Sequence, residues 1–175
     1  MDTWQTILTQ RAVRRFSERP IDDDALAQIL EAGRRAPSSR NGQRRSFIVC
    51  RDRAHLGQLA SVGPYADHVA GAAVAVAFVT PAVDDPLTYG VGADWLDLGQ
   101  AAQSMMLMAT SLGIGSVHAA VFAQERAREL LGYPTDLRCD LLISFGYPAK
   151  DGLLDGPRAE PPRLPLAEVV HPERW

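Results

Sequence analysis

Cysteine is scarce: Cys50 and Cys139 are the two in 175 residues, far apart and each inside an apolar, strand-like run. A disulfide scaffold and a Cys-rich metal site are thereby set aside, and both read as buried free thiols. The four histidines, His55, His68, His118 and His171, share no ligand spacing. The sequence contains no Walker A loop, no Gly-x-Ser-x-Gly elbow and no His-Glu-x-x-His, so the usual signatures of nucleotide hydrolysis, serine hydrolysis and zinc proteolysis are missing. Gly113-Ile114-Gly115 follows a helix-like stretch and lacks a third glycine, which suits a helix stop and turn rather than a dinucleotide fingerprint. Long apolar runs are absent too. Stretches such as 72–79 fall far short of the roughly 20 residues that cross a bilayer, and the opening Met1-Asp2-Thr3-Trp4-Gln5 is polar rather than leader-like. The expectation is one cytoplasmic, globular domain over residues 1–175.

What is present is a mixed chain with 46% apolar and 22% charged residues, outside the disordered and fibrous classes. Its net charge of -3 hides an asymmetry, because segment 11–53 holds 11 of the 18 basic residues against six acidic ones. That segment carries +5 and the remainder -8, so an anion is expected to meet the N-terminal third. Since 17 of the 18 basic residues are arginine, with Lys150 the exception, the bias toward guanidinium is general rather than local.

Periodicity predicts a short helix over 3–9, a second running to about Arg35 behind the acidic cap Asp22-Asp23-Asp24, and a strand over 46–50. A short helix capped by Asp52, a buried strand over 73–80 and a turn-rich loop through Pro81, Pro86, Gly90 and Gly92 follow. From 93 to 112, Trp95, Leu98, Ala102, Met105, Ala109 and Leu112 recur at helical spacing, with Leu96, Met106 and Met108 adding apolar surface off that seam. Such a helix is expected to be covered on most sides, centrally or by a second subunit. Strands near 116–121 and 140–145 flank a helix over 124–131. From Tyr147 onward six of the twelve prolines predict an extended arm over 147–175 whose apolar end packs on something.

Two polar segments are candidates for chemistry. Arg11-Ala12-Val13-Arg14-Arg15-Phe16 places some of its cations on a shared face, and Ala36-Pro37-Ser38-Ser39-Arg40-Asn41-Gly42-Gln43 offers hydroxyls and amides to a planar polar heterocycle. Their order and spacing resemble the nitroreductase family of flavoproteins. Its opening Arg-Arg-Ser-x-Arg-x-Phe is similar to Gln10–Phe16, and its Ala-Pro-Ser-Ser-x-Asn-x-Gln-Pro followed by Phe-Ile-Val is similar to Ala36–Arg44 followed by Phe47-Ile48-Val49. Leu112-Gly113-Ile114-Gly115, Leu131-Gly132-Tyr133-Pro134, Ser144-Phe145-Gly146-Tyr147-Pro148 and the tail 163–170 extend the resemblance over nearly the whole chain.

The resemblance implies an α+β fold, a central mostly antiparallel sheet flanked by helices, in a homodimer with an extended C-terminal arm and one FMN at each of two subunit interfaces. It implies that Arg11 and Arg163 hold the phosphate and that Arg14 sits by the flavin pyrimidine edge, beside Ala12. Pro37, Ser38, Ser39, Asn41 and Gln43 would line the ring or ribityl chain from the partner, and backbone at Val117, His118 and Ala119 would approach N5. The sequence departs from the pattern at Gln10, Ala12 and Arg44, where the family has Arg, Ser and Pro. The implied activity is ping-pong transfer from NADH or NADPH through the flavin to a nitroaromatic, quinone or similar small-molecule acceptor, with no protein nucleophile, no metal, no membrane and no nucleic acid. Alternatives are a specialised relative that reduces an enoyl or halogenated aromatic substrate or binds a deazaflavin, a flavin-binding protein without turnover, and a nucleic-acid-binding module.

Overall fold

The computed structural model describes residues 1–82, 89–157 and 163–175. Its centre is β2 (Val74–Pro81), which pairs antiparallel with β1 (Ser46–Cys50) on one side and with β4 (Leu137–Gly146) on the other. Antiparallel β3 (Gly115–Ala120) completes the order β1-β2-β4-β3. Alternate side chains of a strand point to opposite faces, and β2 uses both. Val74, Val76 and Phe78 join one core with Ile29, Leu98, Met105 and Ile143, while Ala75, Ala77 and Val79 join the other with Leu56, Leu59, Val62 and Leu142. Coverage on two faces explains why β2 reads as a continuous apolar run rather than an alternating one.

The first face is covered by α2 (Asp23–Arg35) and α4 (Tyr89–Ser111). In α2 the Asp22 carboxylate accepts from Ala25 N–H at 2.7 Å, and Ala25, Leu26, Ile29 and Gly33 form its buried stripe. Gly33 is required there, because a Cβ would lie 2.1 Å from Met105 Cε of α4. The second face is covered by α3 (Arg53–Leu59), a 3-10 turn over Asp67–Gly71 and α5 (Gln124–Leu131). The chain opens with α1 (Thr3–Thr9) and ends with the four-residue α6 (Leu166–Val169). Among the described residues no helix is long and apolar enough to cross a membrane.

The expected α+β class and antiparallel sheet are observed, and β1 and α5 have the expected limits. The loop expected through Gly90 and Gly92 is wrong at its end, since α4 already begins at Tyr89 and both glycines are helical. Glycine costs a helix only about 1 kcal/mol relative to alanine, and burial further along α4 outweighs it. Pro86, Pro161 and Pro162 lie outside the described residues. α4 ends as expected, with Gly113 at φ 74° and Ile114 N–H donating back to Ala109 O at 2.8 Å. Trp95 and Leu96 of that helix remain 50% and 64% exposed, so part of its apolar surface is left uncovered by this chain.

Candidate flavin site

The first part of the site is built on β3. Segment 11–16 runs beside it, with Ala12 bridging Ser116 in parallel and Val13 N–H donating to Ser116 O at 2.9 Å. The approach is close enough that a Cβ on Gly115 would lie 2.7 Å from Val13. From the other side comes the 62–65 turn: Val62 O accepts from Phe122 and Ala123 N–H, both at 2.9 Å, and a Cβ on Gly63 would meet Ala120 O at 2.6 Å. Between these elements lies an open groove of about 670 Å³ lined by Arg14, Arg15, Pro64, Tyr65, Asp67, His68, His118, Ala119 and Ala120. Tyr65 and Phe122, both exposed, meet edge to face at its lip.

His68 is the buried polar residue of this groove, 8% exposed on the 3-10 turn. Its Nδ1 lies 2.8 Å from Ser144 Oγ of β4, and its Nε2 is buried with no hydrogen-bond partner among the described residues. Burial, then the charges of Arg14 and His118, lower its pKa below the ordinary histidine value, and Asp67 opposes them. The ring is therefore neutral at pH 7, as a groove already holding Arg14 and Arg15 favours.

The second part is the 37–44 loop at the other end of the sheet. Gln43 N–H donates to Ser38 Oγ at 3.1 Å, and Ser39 N–H donates to both carboxylate oxygens of Asp97 at 3.0 and 3.1 Å. Arg40, Asn41 and Gln43 all take positive φ, at 52°, 54° and 49°. A polar cavity of about 230 Å³ lies here, lined by Ser39, Arg40, Gly42, Arg44, Ala93, Asp94 and Asp97.

Arg14, His118 and Ala119 thus share the groove, with Ala12 and Val117 on its supporting strands. Ser39 lines the loop cavity, while Pro37, Ser38, Asn41 and Gln43 belong to the same loop. Arg11 donates from Nε to Thr9 O at 3.0 Å and from Nη2 to Gly156 O, and Arg163 lies exposed on the C-terminal segment. Neither cavity is lined by those two. Loop and groove lie by opposite edge strands, β1 and β3, which stand three strand spacings or about 14 Å apart. Sequence reasoning missed His68, Tyr65, Asp94 and Asp97. His68 carried no spacing signal, and the two aspartates stand in a stretch whose signal is its apolar periodicity.

The chain is thus an α+β protein with a charged groove by one sheet edge and a polar loop by the other. The model of the nitroreductase family matches residues 7–78 and 64–147, and the chain belongs to that family. An Archaeoglobus fulgidus relative, whose name offers NADH dehydrogenase or NAD(P)H nitroreductase activity, is 32% identical over 97% of this chain and 96% of its own. A Desulfovibrio desulfuricans protein solved in complex with FMN is 30% identical, with TM-score 0.80 over 100% of this chain and 98% of its own. The Vibrio harveyi NADPH:FMN oxidoreductase, solved with NAD+, superposes with TM-score 0.84 at 28% identity over 99% of this chain and 77% of its own.

Proposed function

We propose that the protein is an FMN-dependent oxidoreductase that takes electrons from NADH or NADPH and passes them to a nitroaromatic, quinone or similar small acceptor by a ping-pong mechanism. The observation that carries this reading is the groove of Arg14, His68 and His118 beside β3, whose unpartnered buried His68 Nε2 and adjacent cations suit a ligand that is polar, planar and partly anionic. Bound there, FMN supplies the acceptance and release of the hydride, chemistry that no side chain of this chain has to perform.

The residues bind and tune. Arg14 places positive charge where reduction makes the ring negative, so it favours the reduced form. Strand β3 offers backbone at Val117, His118 and Ala119, with Ala12 alongside. Arg11 and Arg163 are assigned to the phosphate. Pro37, Ser38, Ser39, Asn41 and Gln43 complete the site from a second copy of the chain, because within one protomer the loop is a sheet width away. The protein is accordingly a homodimer, one domain over 1–175, with both substrates entering by the open groove past Tyr65 and Phe122.

The test is the absorbance spectrum of the purified protein, followed by FMN titration and anaerobic addition of NADH and NADPH. A yellow protein bleached by either nucleotide is expected. A colourless protein that takes up no FMN overturns the reading.

A further inference from the structure

The 37–44 loop adopts a conformation that its sequence alone disfavours. Three of its residues with side chains, Arg40, Asn41 and Gln43, lie in the left-handed region. Asparagine tolerates it, whereas arginine and glutamine do so only where surrounding structure holds them. The holding groups are visible on α4. Asp97, 7% exposed, receives Ser39 N–H on both carboxylate oxygens, at the residue that opens the strained turn. One helical turn earlier Asp94, 9% exposed, faces Arg44 Nη2 at 3.3 Å, at the residue that closes it. Among the described residues Asp94 Oδ2 is buried without hydrogen-bond alignment to a partner, and burial raises its pKa, Arg44 opposing and Asp97 adding to the effect. Two carboxylates thus sit under one loop at a cost in desolvation that a surface pair avoids.

We infer that Asp97, assisted by the Asp94–Arg44 ion pair, is a positioning residue that clamps the 37–44 loop in its strained, ligand-competent shape. The inference rests on the reading above that this loop contacts the flavin. It adds the residue that holds the loop ready before the ligand arrives. Preorganisation of this kind saves ordering entropy at binding, so its loss appears in cofactor affinity.

Two readouts separate the clamp from the flavin reading. Trypsin cuts after Arg40 and Arg44, so cleavage of the cofactor-free protein at these bonds reports the loop itself. In Asp97→Leu that cleavage accelerates about tenfold or more, the equivalent of one lost charge-assisted hydrogen bond, with other arginine sites unchanged. FMN affinity falls by a similar factor. Asp97→Asn, which keeps one acceptor oxygen, lies between. Adding Arg40→Gly to Asp97→Leu recovers part of the affinity, because glycine removes the left-handed penalty that the clamp offsets, a coupling that a merely structural aspartate would not show. Wild-type cleavage and wild-type FMN affinity in Asp97→Leu overturn the inference. Should that variant be cut throughout the chain, Asp97→Asn decides, and wild-type behaviour in both readouts then overturns it. A wild-type protein that binds no FMN removes the flavin link, while the cleavage arm still decides the clamp.

Discussion

At the scale of single residues, the groove's electrostatics set two expectations. His68 is buried as the neutral form, so its folded pKa lies below the value of about 6.5 that it takes when unfolded. The unfolded chain then binds more protons in that interval. Stability contributed by the neutral ring is complete above about pH 6.5 and is lost as pH falls toward the folded pKa. Arg14, His118 and Asp67 are the charged or titratable neighbours acting on it. Urea denaturation from pH 7.5 to 5 is expected to show a decline that flattens in His68→Gln; an identical decline in the variant assigns the acid sensitivity elsewhere. Arg14→Ala acts on the ligand instead. It lowers the reduction potential of bound FMN by withdrawing a cation from the reduced ring, and spectroelectrochemistry that finds the potential unchanged places Arg14 away from the pyrimidine edge.

At the scale of elements, legibility followed local signals. The Asp22 cap and buried stripe of α2, the apolar run of β1 and the left-handed Gly132 that ends α5 each lie within one sequence window, and the limits of these elements were readable. The start of α4 was not, because Gly90 and Gly92 are turn residues by local preference and become helical only through the packing of Leu98, Met105 and Ala109 below. The site showed the same division. Arg14, His118 and the 37–43 loop were legible from their motifs, whereas His68 joins the groove through a 3-10 turn and a bond to Ser144, 76 residues away. Gly115 shows how tightly segment 11–16 is seated. In Gly115→Ala the new methyl would stand 2.7 Å from the branched side chain of Val13, so the segment must shift. Overpacking of this kind costs about 1–3 kcal/mol, with a fall of roughly 2–4 °C in Tm per kcal/mol for a chain of this size. FMN affinity falls with it, since Ala12 and Arg14 ride on the same backbone. A variant with wild-type Tm and affinity would show that the segment moves freely.

At the scale of the whole molecule, the unpaired surface argues for assembly. Trp4 of α1 is 63% exposed, Trp95 and Leu96 project from α4, and Leu164, Leu166, Val169, Val170 and Trp175 of the C-terminal segment are all exposed. Large apolar side chains in such number mark surfaces that await a partner. The two parts of the site, three strands apart in one protomer, impose the same demand independently. A second copy answers both if the α4 surfaces pack together, each C-terminal segment reaches across, and each 37–44 loop meets the other protomer's groove. Dimerisation and FMN binding are then linked, and FMN stabilises the dimer by mass action. Light scattering on the flavin-loaded protein is expected to give twice 19.0 kDa. Deleting residues 157–175 removes Arg163 and the exposed apolar end, so FMN affinity and dimer stability fall together, the affinity by about tenfold or more from the lost phosphate contact alone. A 19.0 kDa monomer with flavin bound would overturn the shared site. A truncated chain that dimerises and binds FMN like the full one would instead free the C-terminal segment from both roles.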